Sequence, residues 1–204
     1  MSVAEKFEII ADEVYNKGYE KGKAEGGDSN AFWDVYQDYG NRKGYQTAFF
    51  GPGWTDETYN PKYPITVGQS SGAIFSQSLI TDTKVDIIFE STAYSAATVF
   101  QSATPIKTIK KLDITDYKYT YTNWFTGLPN LIDITIVGNF KNDVGFPSSH
   151  LLPKDMILHI CEHLEDYSGT ATTHTLTLHA NAKAQLSQAE IAENITLKGW
   201  TLAQ

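Results

Sequence analysis

Ala73-Ile-Phe-Ser-Gln-Ser78, Thr98-Val-Phe-Gln-Ser-Ala103 and Asn123-Trp-Phe-Thr-Gly-Leu128 set Phe75, Phe100 and Phe125 at two successive intervals of 25 residues. Each phenylalanine lies in a similar phrase. Each phrase is followed by a short β-prone stretch with an Asp-Ile pair: Val85-Asp86-Ile87, Leu112-Asp113-Ile114 and Ile132-Asp133-Ile134. A unit recurring at this length predicts a short α/β solenoid, in which each coil covers the apolar face of the next. The three phenylalanines should then form one buried column. A solenoid offers a surface rather than a reaction centre, so the repeat points to a binding or structural role.

Working outward, residues 65–147 carry the coils. The third is the clearest, with Trp124, Phe125, Leu128, Leu131, Ile134 and Ile136 closed by Gly138. The first is degenerate, with Thr81 and Lys84 where the others have Ile106 or Leu131 and Ile109 or Ile134. Terminal repeats are commonly atypical.

Residues 28–64 are expected to cap the first coil. Asp28 or Ser29 can start a helix from Asn30 to Tyr39, ended by Gly40. A Gly/Pro-rich aromatic stretch follows, from Phe49 to Pro64. Residues 148–204 read as a helix–strand–helix–strand C-terminal cap. Pro153 opens the first helix at N1. Met156, Ile157, Ile160, Cys161 and Leu164 form its buried stripe, and Gly169 stops it. Thr175–His179 alternates as a strand. Ser187-Gln-Ala-Glu190 is a capping box, Leu186 and Ile191 can form its staple, and Gly199 ends that helix before Trp200.

Residues 1–27 are expected to form an amphipathic assembly helix. Val3, Phe7, Ile10 and Val14 follow 4-3-4 spacing, the narrow seam of a coiled coil. So short a seam is marginal alone and needs a partner. A second copy of the chain is one such partner. The chain's own domain is the other.

Composition narrows the classes further. The 204 residues are 41% hydrophobic, enough for a real core. Net charge is −8, shared equally between residues 1–62 and 63–204, and no basic patch or tail is present. Nucleic acid is therefore not an expected partner. No apolar run approaches the ~18 residues of a membrane helix, so no membrane partner is expected either. The opening Met1-Ser-Val-Ala-Glu-Lys lacks the layout of a secretory signal. The single cysteine, Cys161, fits folding in a reducing cytosol.

Few constellations could carry chemistry. His159-Ile-Cys-Glu-His163 matches the inverted zinc-protease motif H-x-x-E-H. Histidines at i and i+4 can share a metal and Glu162 could activate its water. On a helical wheel, however, His159, Glu162 and His163 fall on the flank and back of the apolar stripe. That placement predicts a solvated face, with His159 and His163 only a weak metal candidate. Cys161 lies on the buried stripe and reads as core. Asp86, Asp113 and Asp133 would take Ca²⁺ if aligned as a ladder. One Asp per coil on the exposed side of an alternating strand is the favoured reading. Tyr117-Lys-Tyr-Thr-Tyr121, with Trp124 close by, puts Tyr117, Tyr119 and Tyr121 on one side of an extended segment. Such a platform could stack on sugars or grip peptides, or simply be an apolar lateral face. No phosphate loop or nucleophile elbow occurs, and no cofactor is expected.

Several segments together resemble a known family: Ala31-Phe-Trp-Asp34 with Gln37 and Gly40, Gly53-Trp-Thr-Asp56 with Pro61-Lys-Tyr63, the Phe-centred coils, and Leu186-Ser187…Ala189-Glu-Ile191…Lys198-Gly-Trp-Thr-Leu202. They are similar to short leucine-rich-repeat proteins of the BspA-like type, encoded in phages and prophages of low-GC Gram-positive gut bacteria. The resemblance spans nearly the whole chain. It implies a short irregular leucine-rich-repeat solenoid with caps at both ends and no catalytic residues. It also implies an accessory structural protein of a virion or its tail, made in the bacterial cytoplasm. Its expected partners are copies of itself and other virion proteins or a host surface molecule. A trimer is the first expectation, because phage fibres and spikes are usually trimeric. A receptor- or glycan-binding module using the Tyr-rich face is the alternative. A zinc hydrolase at His159, Glu162 and His163 is a remote one.

Overall fold

The computed structural model describes residues 54–61, 64–68, 74–75, 77–91, 93, 99–100, 102–103, 105–119, 121 and 124–203. The expected seam of Val3, Phe7, Ile10 and Val14, and the helix from Asn30, lie outside the described residues.

Four strands form one sheet: β1 (Ile65–Val67), β2 (Asp86–Phe89), β3 (Thr108–Asp113) and β4 (Asp133–Val137). They pair in chain order, and every pairing is parallel. In β1, β2 and β4 alternate apolar residues turn inward, and in β3 the buried pair is three residues apart across a register shift. Ile65 and Val67, Ile87 and Phe89, Ile109 and Leu112, and Ile134 and Ile136 are all buried. This alternation fixes the register, because a slip of one residue would send the buried set to the surface. Ile65 lies beside Ile87, Ile87 beside Leu112 and Ile109 beside Ile134. A second parallel sheet follows, β5 (Val144–Phe146), β6 (His174–Leu178) and β7 (Trp200–Ala203), again in chain order.

Helix is scarce among the described residues. It comprises α1 (Lys154–Glu162), α2 (Ala180–Lys183), and α3 (Gln188–Ile191) continued by a π-helical turn over Ala192–Thr196. The class is mixed α/β with parallel sheets and few helices. None of these helices is long and apolar enough to cross a membrane.

The phenylalanine phrases pack as their spacing predicts. Phe75, Phe100 and Phe125 are fully buried. Phe75 stacks on Phe100 at 5.7 Å between ring centroids, and Phe100 on Phe125 at 5.9 Å. A fourth ring extends the column: Phe146 of β5 stacks on Phe125 at 4.2 Å. The backbone repeats along with the rings. The carbonyl of each of the four accepts the N–H three residues on, from Ser78, Ala103, Leu128 and Ser149. Gln77 and Ser102, two residues past their phenylalanines, share the left-handed conformation at φ 60° and 57°. Gly127 stands at the same place after Phe125 without the left-handed conformation, and its turn sits tight against the preceding phrase. A Cβ there would lie 2.6 Å from the Ser102 nitrogen and 2.8 Å from the Phe100 oxygen.

Polar side chains stitch successive segments together, mostly by donating to backbone carbonyls one segment earlier. Lys84 Nζ bonds the Asp56 and Tyr59 oxygens, Lys141 Nζ the Thr115 oxygen, and Asn142 Nδ2 the Lys118 and Tyr119 oxygens. Ser149 Oγ bonds the Leu128 oxygen, and Gln185 Nε2 the Leu152 oxygen. These bonds satisfy turn carbonyls that no ladder reaches.

Three local expectations need correction. Pro153 is the N-cap of α1, not its first helical residue, with extended backbone at φ −75° and ψ 160°. The helix ends at Glu162, well before Gly169, because Leu164 forms a parallel bridge with Phe140. Phe140 donates its N–H to the His163 oxygen and accepts that of Glu165, which takes the chain out of the helical path. Finally, the Asp-Ile pairs do not stack. Asp86 lies beside Lys111, Asp133 beside Thr108, and Asp113 between Ile88 and Val137. A register shift between Ile109 and Leu112 contributes to this offset. The capping box and the glycine stop agree with expectation. The Ser187 and Glu190 side chains each take the other's backbone N–H, and Gly199 is left-handed at φ 81°.

Candidate functional site

Helix α1 runs beside β4, burying Ile157, Ile160 and Cys161. Burial of that stripe turns the flank bearing His159 and His163 towards the strand's outer edge. The Ile136 N–H donates to His159 Nε2 at 3.2 Å. His163 Nδ1 lies 2.7 Å from the Gly138 oxygen, and a carbonyl only accepts, so this nitrogen carries a proton. The two rings meet edge to face with centroids 4.7 Å apart. Both histidines are therefore half-buried clamps on the strand, not a solvated face.

His159 and His163 are by sequence only a weak metal candidate, and the geometry places them as strand clamps. A ring nitrogen that accepts from Ile136 has no lone pair left for zinc, and Glu162 Oε2 is 3.7 Å from His159 Nδ1. No group of three or more His, Cys, Asp or Glu side chains is placed to hold a metal among the described residues. Cys161 is fully buried, and burial pushes its thiol up to about 12. Such a thiol is a core group and a poor nucleophile.

The tyrosine platform is also corrected. Tyr117, Tyr121 and Trp124 are buried, and Tyr119 is half-buried. Tyr117 meets Trp124 at 4.5 Å and Tyr121 meets it at 4.9 Å. Trp124 stacks on Phe89 at 4.0 Å, which ties this cluster to β2. Burial pushes the Tyr117 and Tyr121 hydroxyls up, as expected for phenols held away from water. The tyrosines do share one side, but that side faces the core: Tyr117 and Tyr121 are buried and Tyr119 packs half-buried against Tyr117.

The acidic ladder dissolves for the reason of register given above. Asp86 instead bonds Lys111 at 2.5 Å, with Lys110 at 4.0 Å. Asp133 is exposed and Asp113 half-buried.

What remains as a candidate site is a surface. The outward residues of the four-stranded sheet line up across the strands: Thr66, Ile88, Asp113 and Val137 form one row. Thr108 and Asp133 form another. Asp133, Thr135 and Val137 of β4 are exposed. This face is mixed in polarity, and its charged groups, Asp86 with Lys110 and Lys111 and the neighbouring Asp113, pair among themselves.

The distinctive C-terminal block is structural. Lys198 Nζ donates to the carbonyls of Cys161 and Glu162 at 3.0 Å and of Leu164 at 3.4 Å. It caps the C-terminus of α1, where a cation also suits the helix dipole. Trp200 Nε1 donates to the Glu165 oxygen at 2.8 Å. Sequence reasoning missed this role, because Lys198 lies 36 residues from Glu162 and a lysine before a glycine signals only the end of its own helix. Compared with known proteins, the chain matches no protein-family model, no curated protein and no solved structure.

Proposed function

We propose that this chain is a non-enzymatic accessory structural protein of a phage or prophage, associated with a virion or its tail. In this reading the parallel strands and the phenylalanine phrases are coils of a short irregular leucine-rich-repeat solenoid. The N-terminal helix joins copies of the chain, a trimer first, and the outward face of the four-stranded sheet meets other particle proteins or a host surface molecule. The observation that carries the reading is the aromatic column from Phe75 to Phe146, with the same backbone bond three residues after each ring. The titratable groups that resembled a reaction centre are engaged in holding the fold. The phage assignment rests on the sequence resemblance and the assembly on the Val3, Phe7, Ile10 and Val14 seam.

Light scattering tests the assembly half. Full-length protein at micromolar concentration should be an oligomer, and removal of residues 1–27 should leave a folded monomer. Full-length protein that is already monomeric would mean that the helix docks on its own domain, and the attachment argument would lose its main support. The receptor-binding alternative no longer has its proposed surface, because three of its four aromatic residues are core.

A further inference from the structure

The bond between β4 and α1 determines the protonation state of one histidine. A backbone N–H can only donate, so His159 Nε2 must present a lone pair to Ile136 at 3.2 Å. His159 is then neutral, with its proton on Nδ1. Protonation would place a second N–H against the Ile136 N–H, and the bond could not survive. His163 behaves oppositely. Its Nδ1 donates to Gly138 in the neutral and the charged form alike. Two histidines one helical turn apart thus grip the same strand edge, and only one grip is lost in acid.

We infer that His159 is a proton-sensitive latch between α1 and the outer edge of β4, with the His163 bond as the pivot that stays. Among the described residues, the charged and titratable groups around it are few. From its own helix, Glu162 Oε2 lies 3.7 Å from Nδ1 and the His163 ring centroid 4.7 Å from its own. On β4 the charged residue is Asp133, which lies on the exposed face. From the segment packed on α1, Glu193 belongs to the π-helical turn, and the Lys198 ammonium sits on the helix's terminal carbonyls. Glu165, beyond the helix, is engaged by Asn139. An opened latch would free the Ile136 N–H and with it a strand edge, the backbone feature that pairs with other chains.

Nitrogen NMR of the full chain tests this without any substitution. At pH 8 His159 should be the neutral tautomer protonated on Nδ1. The Ile136 amide should be protected from exchange, and its protection, corrected for intrinsic rates, should fall at least ~10-fold by pH 5. His159→Gln keeps an acceptor that does not titrate, so its Ile136 protection should be the same at both pH values. A His159 protonated on Nε2 at pH 8, or wild-type Ile136 protection that is unchanged between pH 8 and pH 5, would overturn the proposal.

Discussion

Replacing Phe100 by alanine removes the middle ring of the column. Phe100 is fully buried, with Phe75 stacked on one side at 5.7 Å and 3° and Phe125 on the other at 5.9 Å and 19°. Truncating a buried phenylalanine costs about 3–5 kcal/mol, set by how far the site can collapse. Collapse is restricted here, because both neighbouring turns are fixed by their own hydrogen bonds. Each aromatic pair also contributes roughly 0.5–1.5 kcal/mol beyond its buried area. The loss should therefore lie in the upper half, about 4–5 kcal/mol. With a urea slope of about 2–3 kcal/mol per M, the unfolding midpoint should fall by nearly ~2 M. Leu79→Ala is the control, since Leu79 is 57% exposed and should move the midpoint little. A Phe100→Ala loss below about 1 kcal/mol, or no larger than that of Leu79→Ala, would refute the stacked column as a source of stability.

Gly127→Ala drives a methyl group into the backbone of Phe100 and Ser102, so it should cost about 2–3 kcal/mol in the same urea assay, whereas Gly169→Ala, strained by φ 76° but in open space, should cost less. Lys198→Met keeps the length of the side chain but leaves three carbonyls without their donor; a loss of about 2 kcal/mol is expected, read by thermal unfolding. Glu190 is held down to about 2 by the Lys154 ammonium, with the Ser187 backbone and hydroxyl adding to it. Its folded value lies below the ordinary 4.5, so its contribution is present above pH 4.5 and fades as the pH falls towards 2. Urea titrations across that window should show a flatter pH dependence for Glu190→Gln than for wild type.

The sequence was legible where one kind of residue recurred strictly. Phe75, Phe100 and Phe125 keep intervals of 25 residues, and their turns repeat in three dimensions. The Asp-Ile pairs looked like part of the same unit, but Asp86, Asp113 and Asp133 are 27 and then 20 residues apart, so they do not keep the interval of the rings. Phe146 was missed because its interval shortens to 21 and Pro147 disguises its phrase, though Phe146-Pro-Ser-Ser149 makes the same turn. The tyrosine platform failed because spacing puts three side chains on one side but does not say whether that side meets water or core. The helical wheel correctly put His159 and His163 beside the apolar stripe. It could not reveal that the neighbour on that flank is a strand edge rather than water. Contacts of this kind join residues 23 and 25 positions apart, and no local pattern encodes them.

The most direct test of the central claim is quantitative mass spectrometry of particles purified from an induced culture of cells that carry this coding sequence. The account predicts the chain's peptides in the particle band of a density gradient, at a fixed ratio to the major particle proteins and from both residues 1–27 and residues 65–147. Peptides confined to the host lysate and missing from the particle band would contradict it.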